Sequence, residues 1–146
     1  MLASNLDKNK YKNICLIDTN AKLAPKIKVS GGAKCNITNE LVSSKNYLGD
    51  RNFVKELLEK FSKDDLLTFL NKNGVFPKIN PKIVKGTYFC NSSQDVIDMF
   101  TKLTTHIKKY LNTTVLDVEF NNHYKIKTDT KLIEAKKLVV ASGGLS

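Results

Sequence analysis

The sequence is poor in the residues from which most reactive centres are built. Histidine occurs twice, at His106 and His123, and no two of the three cysteines form a CxxC pair. Structural zinc is held by four closely paired Cys and His side chains, so such a site is excluded. An odd number of widely spaced cysteines (Cys15, Cys35, Cys90) also gives no disulfide framework. No apolar run approaches the roughly 20 residues of a membrane helix. The opening MLASNLDKNK lacks the charged and then apolar stretch of an export signal. These absences point to a cytoplasmic protein with no membrane partner, in which the sequons at Asn36, Asn91 and Asn112 carry no glycosylation meaning.

Arginine is nearly absent too. Arg51 stands alone among 24 basic residues, which outnumber 14 acidic ones to give a net charge of +10. Such a charge raises the question of nucleic acid, but base readout and bidentate phosphate contacts lean on arginine. The lysines are spread along the chain among many asparagines. The excess is read as a Lys/Asn-rich habit, and no specific nucleic-acid partner is expected.

What is present is an ordinary globular composition, 146 residues with 41% hydrophobic and 26% charged, enough for one domain with a core. Asn13-Ile14-Cys15-Leu16-Ile17-Asp18 is a short apolar run, the pattern of a strand buried on both faces of a parallel sheet. Residues 1–6 read as the tail of a helix, as if the chain began late. Residues 19–40 read as loop, with Pro25 and a Ser30-Gly31-Gly32 turn. Two amphipathic helices follow, 50–61 with Asp50 as N-cap, and one from Ser62, capped with Asp65 and stopped by Gly74.

Residues 75–86, with Pro77 and Pro81, are expected to be irregular. Thr87-Tyr88-Phe89-Cys90 reads as a strand leading into the longest helix, capped by Ser92 or Ser93. Val96, Ile97, Phe100, Leu103, Ile107, Tyr110 and Leu111 form one helical stripe, ended by Asn112. Alternation from Val115 to Phe120, a turn at Asn121-Asn122 and a return through Tyr124 and Ile126 predict a small meander to Ala135. A last apolar strand, Leu138-Val139-Val140-Ala141, runs into Ser142-Gly143-Gly144.

Three places could meet a ligand. Asp18, at the carboxyl end of a strand, is either an acceptor for ribose hydroxyls or a turn former. The segment Ser30-Gly31-Gly32-Ala33-Lys34-Cys35-Asn36 is either a cradle of backbone N–H groups for an anionic phosphate or a plain glycine turn. Ala141-Ser142-Gly143-Gly144 is either a second close approach of backbone to a cofactor or the end of a strand. Cys35 has no histidine near in sequence to activate it, so a catalytic thiol is not expected. His106, beside the helical stripe, and His123, in a turn, are assigned to packing or surface.

The run Lys26-Ile27-Lys28-Val29-Ser30-Gly31-Gly32-Ala33-Lys34-Cys35-Asn36-Ile37-Thr38-Asn39 resembles the SGGGRCNxTN stretch of the aminoacetone-oxidase-type FAD-dependent oxidoreductases. That family also contains bile-acid-inducible flavin reductases. Tyr88-Phe89-Cys90-Asn91-Ser92-Ser93 and Leu138 to Ser146 resemble further segments in the same order, so the similarity spans essentially the whole chain. Ala33 and Lys34 stand where Gly and Arg are commonest.

The resemblance implies an α/β, Rossmann-like FAD-binding domain, here incomplete, with a helical excursion and a small meander. Its parts are 1–40 (strand and cofactor loop), 41–111 (mainly helical) and 112–146 (meander and returning strand). FAD is the implied cofactor, with NAD(P)H as a candidate reductant and a small molecule as substrate. By the same resemblance Asp18 takes the ribose. Lys26 and the Ser30, Gly31 and Gly32 backbone lie along the cofactor. Val115 meets the adenine through its backbone, and Ala141, Ser142, Gly143 and Gly144 approach it at the returning strand. The GxGxxG-like turn that opens such domains is absent, so this stretch alone is expected to bind FAD poorly. The rival expectations are a basic α/β module for RNA or an acidic partner, and a remnant without function.

Overall fold

The computed structural model describes residues 1–79 and 85–143. Pro81 and Gly144 lie outside the described residues. In chain order the elements are α1 (Leu2–Asn5), β1 (Cys15–Ile17), α2 (Pro25–Val29), β2 (Asn36–Asn39), α3 (Arg51–Lys60), α4 (Lys63–Lys72), β3 (Lys78–Ile79), β4 (Thr87–Phe89) and α5 (Ser93–Leu103). Then come β5 (Lys108–Tyr110), β6 (Val115–Asn121), β7 (His123–Thr128) and β8 (Leu132–Ala135). The chain divides into two compact units, one of Met1–Leu6 with Ala24–Thr105, the other of Asp7–Leu23 with His106–Ser146.

The first unit packs helices on an antiparallel sheet of order β2-β4-β3. Its core is Cys35, Leu70, Val75, Cys90, Val96 and Met99, lined by Ile27, Ile37, Leu66, Phe69, Phe100 and Leu103. Helix starts are set as the sequence expects. The Asp50 carboxylate accepts from the N–H groups of Asn52 (2.8 Å) and Phe53 (3.1 Å), satisfying two orphan donors of α3. Ser62 and Asp65 form a capping box on α4. Past the C-cap Asn73, the chain leaves α4 through Gly74 at φ 84°, a conformation costly for side chains with a Cβ.

Three sequence expectations for this unit fail, the first at residues 75–86, expected to be irregular, where Lys78–Ile79 form β3 against β4. Residues 19–40 are not all loop: Pro25 starts α2 at its first turn, where a missing N–H costs nothing. The long helical stripe is also broken, because α5 stops at Leu103 and residues 108–110 are a strand. Thr104 turns its hydroxyl back onto the Phe100 carbonyl at 2.7 Å, closing the last turn. Ile107, Tyr110 and Leu111 kept helical spacing by coincidence. His106 sits exposed in the turn that follows.

The second unit holds the parallel pair β1 and β5, in register Cys15↔Lys108, Leu16↔Lys109 and Ile17↔Tyr110. β1 is shorter and less buried than the apolar run suggests, since Cys15 is exposed and Leu16 and Ile17 are half-buried. The meander β6-β7-β8 forms as expected. Its tight turn rests on Asn122 at φ 61°, a region that Asn tolerates better than most residues. Ile126, paired with Val118 and Ile133, is 2% exposed and anchors the sheet. His123 opens β7 rather than lying in the turn, its Nε2 3.6 Å from Glu134. Residues 138–141 join no ladder among the described residues, and Val139 and Val140 are exposed. An apolar run becomes a strand only where a neighbouring strand takes its N–H and C=O groups. Among the described residues no helix is long and apolar enough to cross a membrane.

Candidate functional site

The ends of the parallel pair converge on Asp18. Its N–H donates to the Tyr110 carbonyl (3.0 Å) and its carbonyl accepts from the Thr113 N–H (3.1 Å), so both strands leave the sheet tied to this residue. The carboxylate Oδ1 accepts from the backbone N–H of Asn20 at 2.9 Å and from Asn20 Nδ2 at 2.8 Å. Asn20 is held in turn, its carbonyl accepting from the Asn112 N–H at 3.1 Å. Asp18 is therefore a turn former and a positioned carboxylate at once. Oδ2 has no partner among the described residues, which leaves an acceptor of the kind that a ribose hydroxyl needs. The sequence reading missed Asn20, although Asp-x-Asn is the signature of such an Asx turn.

Tyr110 carries more than a carbonyl. Lys131 Nζ lies 4.1 Å and Lys108 Nζ 5.2 Å from its ring centroid, both within cation–π range. Two ammonium groups beside one ring leave this end of the pair electropositive. Val115 opens β6 opposite Thr128, with the ladder shifted between Val115 and Asp117. Ala141, Ser142 and Gly143 are exposed, with Gly143 at φ 76°, a turn without ladder contacts among the described residues.

In the first unit the loop at residues 30–36 is more unusual than a glycine turn. Gly31, Gly32 and Ala33 all adopt the left-handed region, at φ 57°, 62° and 67°, and Cys35 follows at 54°. Two bonds close the loop: Cys35 N–H to the Ser30 carbonyl (3.0 Å) and Lys34 N–H to that of Gly31 (3.3 Å). The far side of the loop is fastened to α5 and its approach. Ser93 N–H donates to the Ala33 carbonyl (2.8 Å), Cys90 N–H to that of Lys34 (2.9 Å), and Ser93 Oγ to that of Lys28 (3.2 Å).

The N–H groups of Gly31, Gly32 and Ala33 have no partner among the described residues. Three successive free donors in a fixed turn suit an anion or a polar ring edge. Position 31 favours glycine, because its φ lies in the left-handed region and an added methyl would have to displace the Asn36 carboxamide. Lys26 lies exposed on α2, one turn before this loop. At the loop's end Cys35 and Cys90 are buried side by side. Burial pushes both thiols up, and Cys90, with Cys35 and Asp95 as further causes, reaches about 11. They are protonated packing groups, not nucleophiles.

The family model of the HI0933-like protein Rossmann domain matches residues 1–146. The chain belongs to that family. The α/β class and the Rossmann character expected from the sequence are thereby established, and the flavin expectation is supported at family level. Among curated proteins this HI0933-like chain is 31% identical to a ribosomal RNA dihydrouridine synthase of Escherichia coli, over all of this chain and 37% of that protein. It is 29% identical to the ribosomal RNA dihydrouridine synthase of Haemophilus influenzae, over 92% of this chain and 35% of that protein. A 3-dehydro-bile acid delta(4,6)-reductase of Clostridium scindens is 22% identical over 90% of the chain and 32% of its own length. This last similarity agrees with the bile-acid branch of the resemblance. The chain spans about a third of the length of the curated relatives it matches.

Proposed function

We propose that this chain supplies part of the FAD site of a reductase that adds hydrogen across a ring C=C bond conjugated to a carbonyl. The observation that carries the proposal is the fixed left-handed turn at residues 31–33, with three free N–H groups inside the motif that resembles the flavoprotein hallmark. Within the second unit taken by itself, the free oxygen of Asp18 is an acceptor of the kind that a ribose hydroxyl needs.

Asp18 would accept from an adenosine ribose hydroxyl, held in place by Asn20. The loop N–H groups and Lys26 would meet the polar length of the cofactor. FAD, when bound and first reduced by NAD(P)H, the reductant this reading assigns, would supply a hydride to one alkene carbon while a proton adds to the other. Every other contribution of this chain is binding and orientation. The names of the relatives share this chemistry. Dihydrouridine is uridine with two added hydrogens, and a delta(4,6)-reductase removes ring unsaturation from an oxo steroid. Both fit alkene reduction better than oxidation of an aminoacetone-type amine.

Of the two substrate types, a pyrimidine in RNA is favoured, because both dihydrouridine synthases match at higher identity and the chain carries +10. The lysine excess then serves phosphate contact without base readout. The test is to load the complete gene product with FAD, reduce it and add ribosomal RNA fragments without oxygen. Reoxidation of the flavin with formation of dihydrouridine is expected. Reoxidation by 3-oxo steroids alone would move the assignment to the other substrate type.

A further inference from the structure

Beside the loop at residues 30–36, in the same unit, lies a shallow cleft, wide open to solvent, of about 340 Å³, lined by Asn36, Ile37, Thr38, Asn39, Val42, Tyr47 and Thr87. Asn36 belongs to both places, since its carboxamide covers Gly31 and its side of β2 lines the cleft. The cleft is thus joined to the turn with the free N–H groups through one residue.

The chain carries +10, yet none of the seven lining residues is charged. A phosphate would find no cation there. The lining instead offers aliphatic walls (Ile37, Val42), one half-exposed tyrosine and a row of amides and hydroxyls. Two of its polar groups are already committed. Asn39 Nδ2 donates to the Lys85 carbonyl (3.0 Å) and Thr87 Oγ1 (3.1 Å), and Asn39 Oδ1 accepts from the Leu41 N–H (2.9 Å). These bonds fix the floor. The Thr38 hydroxyl, the Tyr47 hydroxyl and the Asn36 carboxamide have no side-chain hydrogen bond to another described residue. A carboxamide matches an edge that alternates acceptor, donor and acceptor, and a tyrosine face stacks on a flat ring.

We infer that this cleft holds the reducible ring of the substrate, a flat uncharged imide such as the uracil of uridine. Asn36 and Thr38 read its edge and Tyr47 packs on its face. Charged phosphates of the strand lie outside the cleft, on the lysine-bearing surface. The inference rests on the reductase reading above and adds the place where the ring sits.

The test uses the complete, flavin-loaded gene product and a short single-stranded RNA carrying one 4-thiouridine, whose ring cross-links to side chains that it touches. Mass-spectrometric mapping is expected to find the adduct on Tyr47 or within residues 36–39. Tyr47→Ala and Thr38→Val should lower single-turnover flavin reoxidation by the unmodified RNA about tenfold or more, with flavin content unchanged. Adducts found only outside the cleft would overturn the inference, as would reoxidation unaffected by both variants. A 3-oxo-Δ4 steroid that reoxidises the flavin and is blocked by the same variants would overturn the imide assignment. Absence of flavin from the purified protein would instead defeat the reductase reading itself, whatever the adducts showed.

Discussion

Asn20 grips the carboxylate of Asp18 twice, by its backbone N–H at 2.9 Å and its side-chain Nδ2 at 2.8 Å, both on the same oxygen. One oxygen is thereby used to aim the other. Removing the side-chain bond with Asn20→Ala leaves the carboxylate held by the backbone N–H alone. A hydrogen bond of this kind contributes about 0.5–1.5 kcal/mol, so FAD affinity of the complete gene product should fall about three- to tenfold. FMN, which has no adenosine ribose, should bind the variant and the parent alike. Equal losses for FAD and FMN, measured by fluorescence titration, would remove Asp18 and Asn20 from the ribose site.

The loop makes an opposite pair of claims about neighbouring positions. Ala33 holds φ 67°, which costs a residue with a Cβ about 1–2 kcal/mol. Ala33→Gly relieves that strain but loosens the unfolded chain by about 0.4–1 kcal/mol. A net gain of up to about 1 kcal/mol is expected in urea denaturation. Gly31→Ala adds the same strain and a collision with Asn36. It should destabilise by about 2 kcal/mol or more, and FAD should be lost along with stability. A neutral Gly31→Ala would show that the turn is not the one described.

The core of the first unit is tested at Leu70, 2% exposed among the apolar residues of the cluster. Leu70→Ala should cost about 2–5 kcal/mol through lost contacts and the cavity left behind. Asp50→Ala, which removes the cap of an exposed helix, should cost only about 1 kcal/mol. The ordering of the two midpoints in chemical denaturation checks the assignment of core and surface.

Much of this was legible in the sequence, where the signal is local. Caps announce themselves, as Asp50 does for α3 and Ser62 with Asp65 for α4, while for α5 the letters leave Ser92 and Ser93 open and the structure takes Ser92. Alternation is equally local, and the meander around Ile126 followed from it. The failures required knowledge of neighbours. Ile107, Tyr110 and Leu111 continue a helical stripe on paper, yet Tyr110 lies beside Ile17 in a parallel ladder. The run at 138–141 is apolar enough for a buried strand, but no partner strand stands beside it among the described residues. In the site, two adjacent glycines signalled a turn. Nothing in the letters showed that Ala33 and Cys35 would share the left-handed region, or that Asn36 would close over Gly31.

The buried thiols give a pH dependence with a definite sign. Cys90 ionises at about 11 in the folded chain, chiefly because burial disfavours the thiolate. In the unfolded chain it ionises near the ordinary thiol value, about 8.5. Below that value both states are protonated and stability is independent of this group. From there up to about pH 11 the unfolded state alone loses the proton, so stability should fall as pH rises. Cys90→Ser should flatten that slope in thermal melts. At pH 8, exposed Cys15 should react with a maleimide well before Cys35 or Cys90, as read by peptide mapping.

The central claim is that this chain forms part of a flavin site. The most direct measurement is to purify the complete product of the gene that encodes it, release any bound small molecule with acid and identify it by chromatography and absorbance. Stoichiometric FAD, strongly reduced in the Asp18→Ala and Gly31→Ala variants, is the expected result. A folded protein that carries no flavin and takes none up from solution would contradict the account.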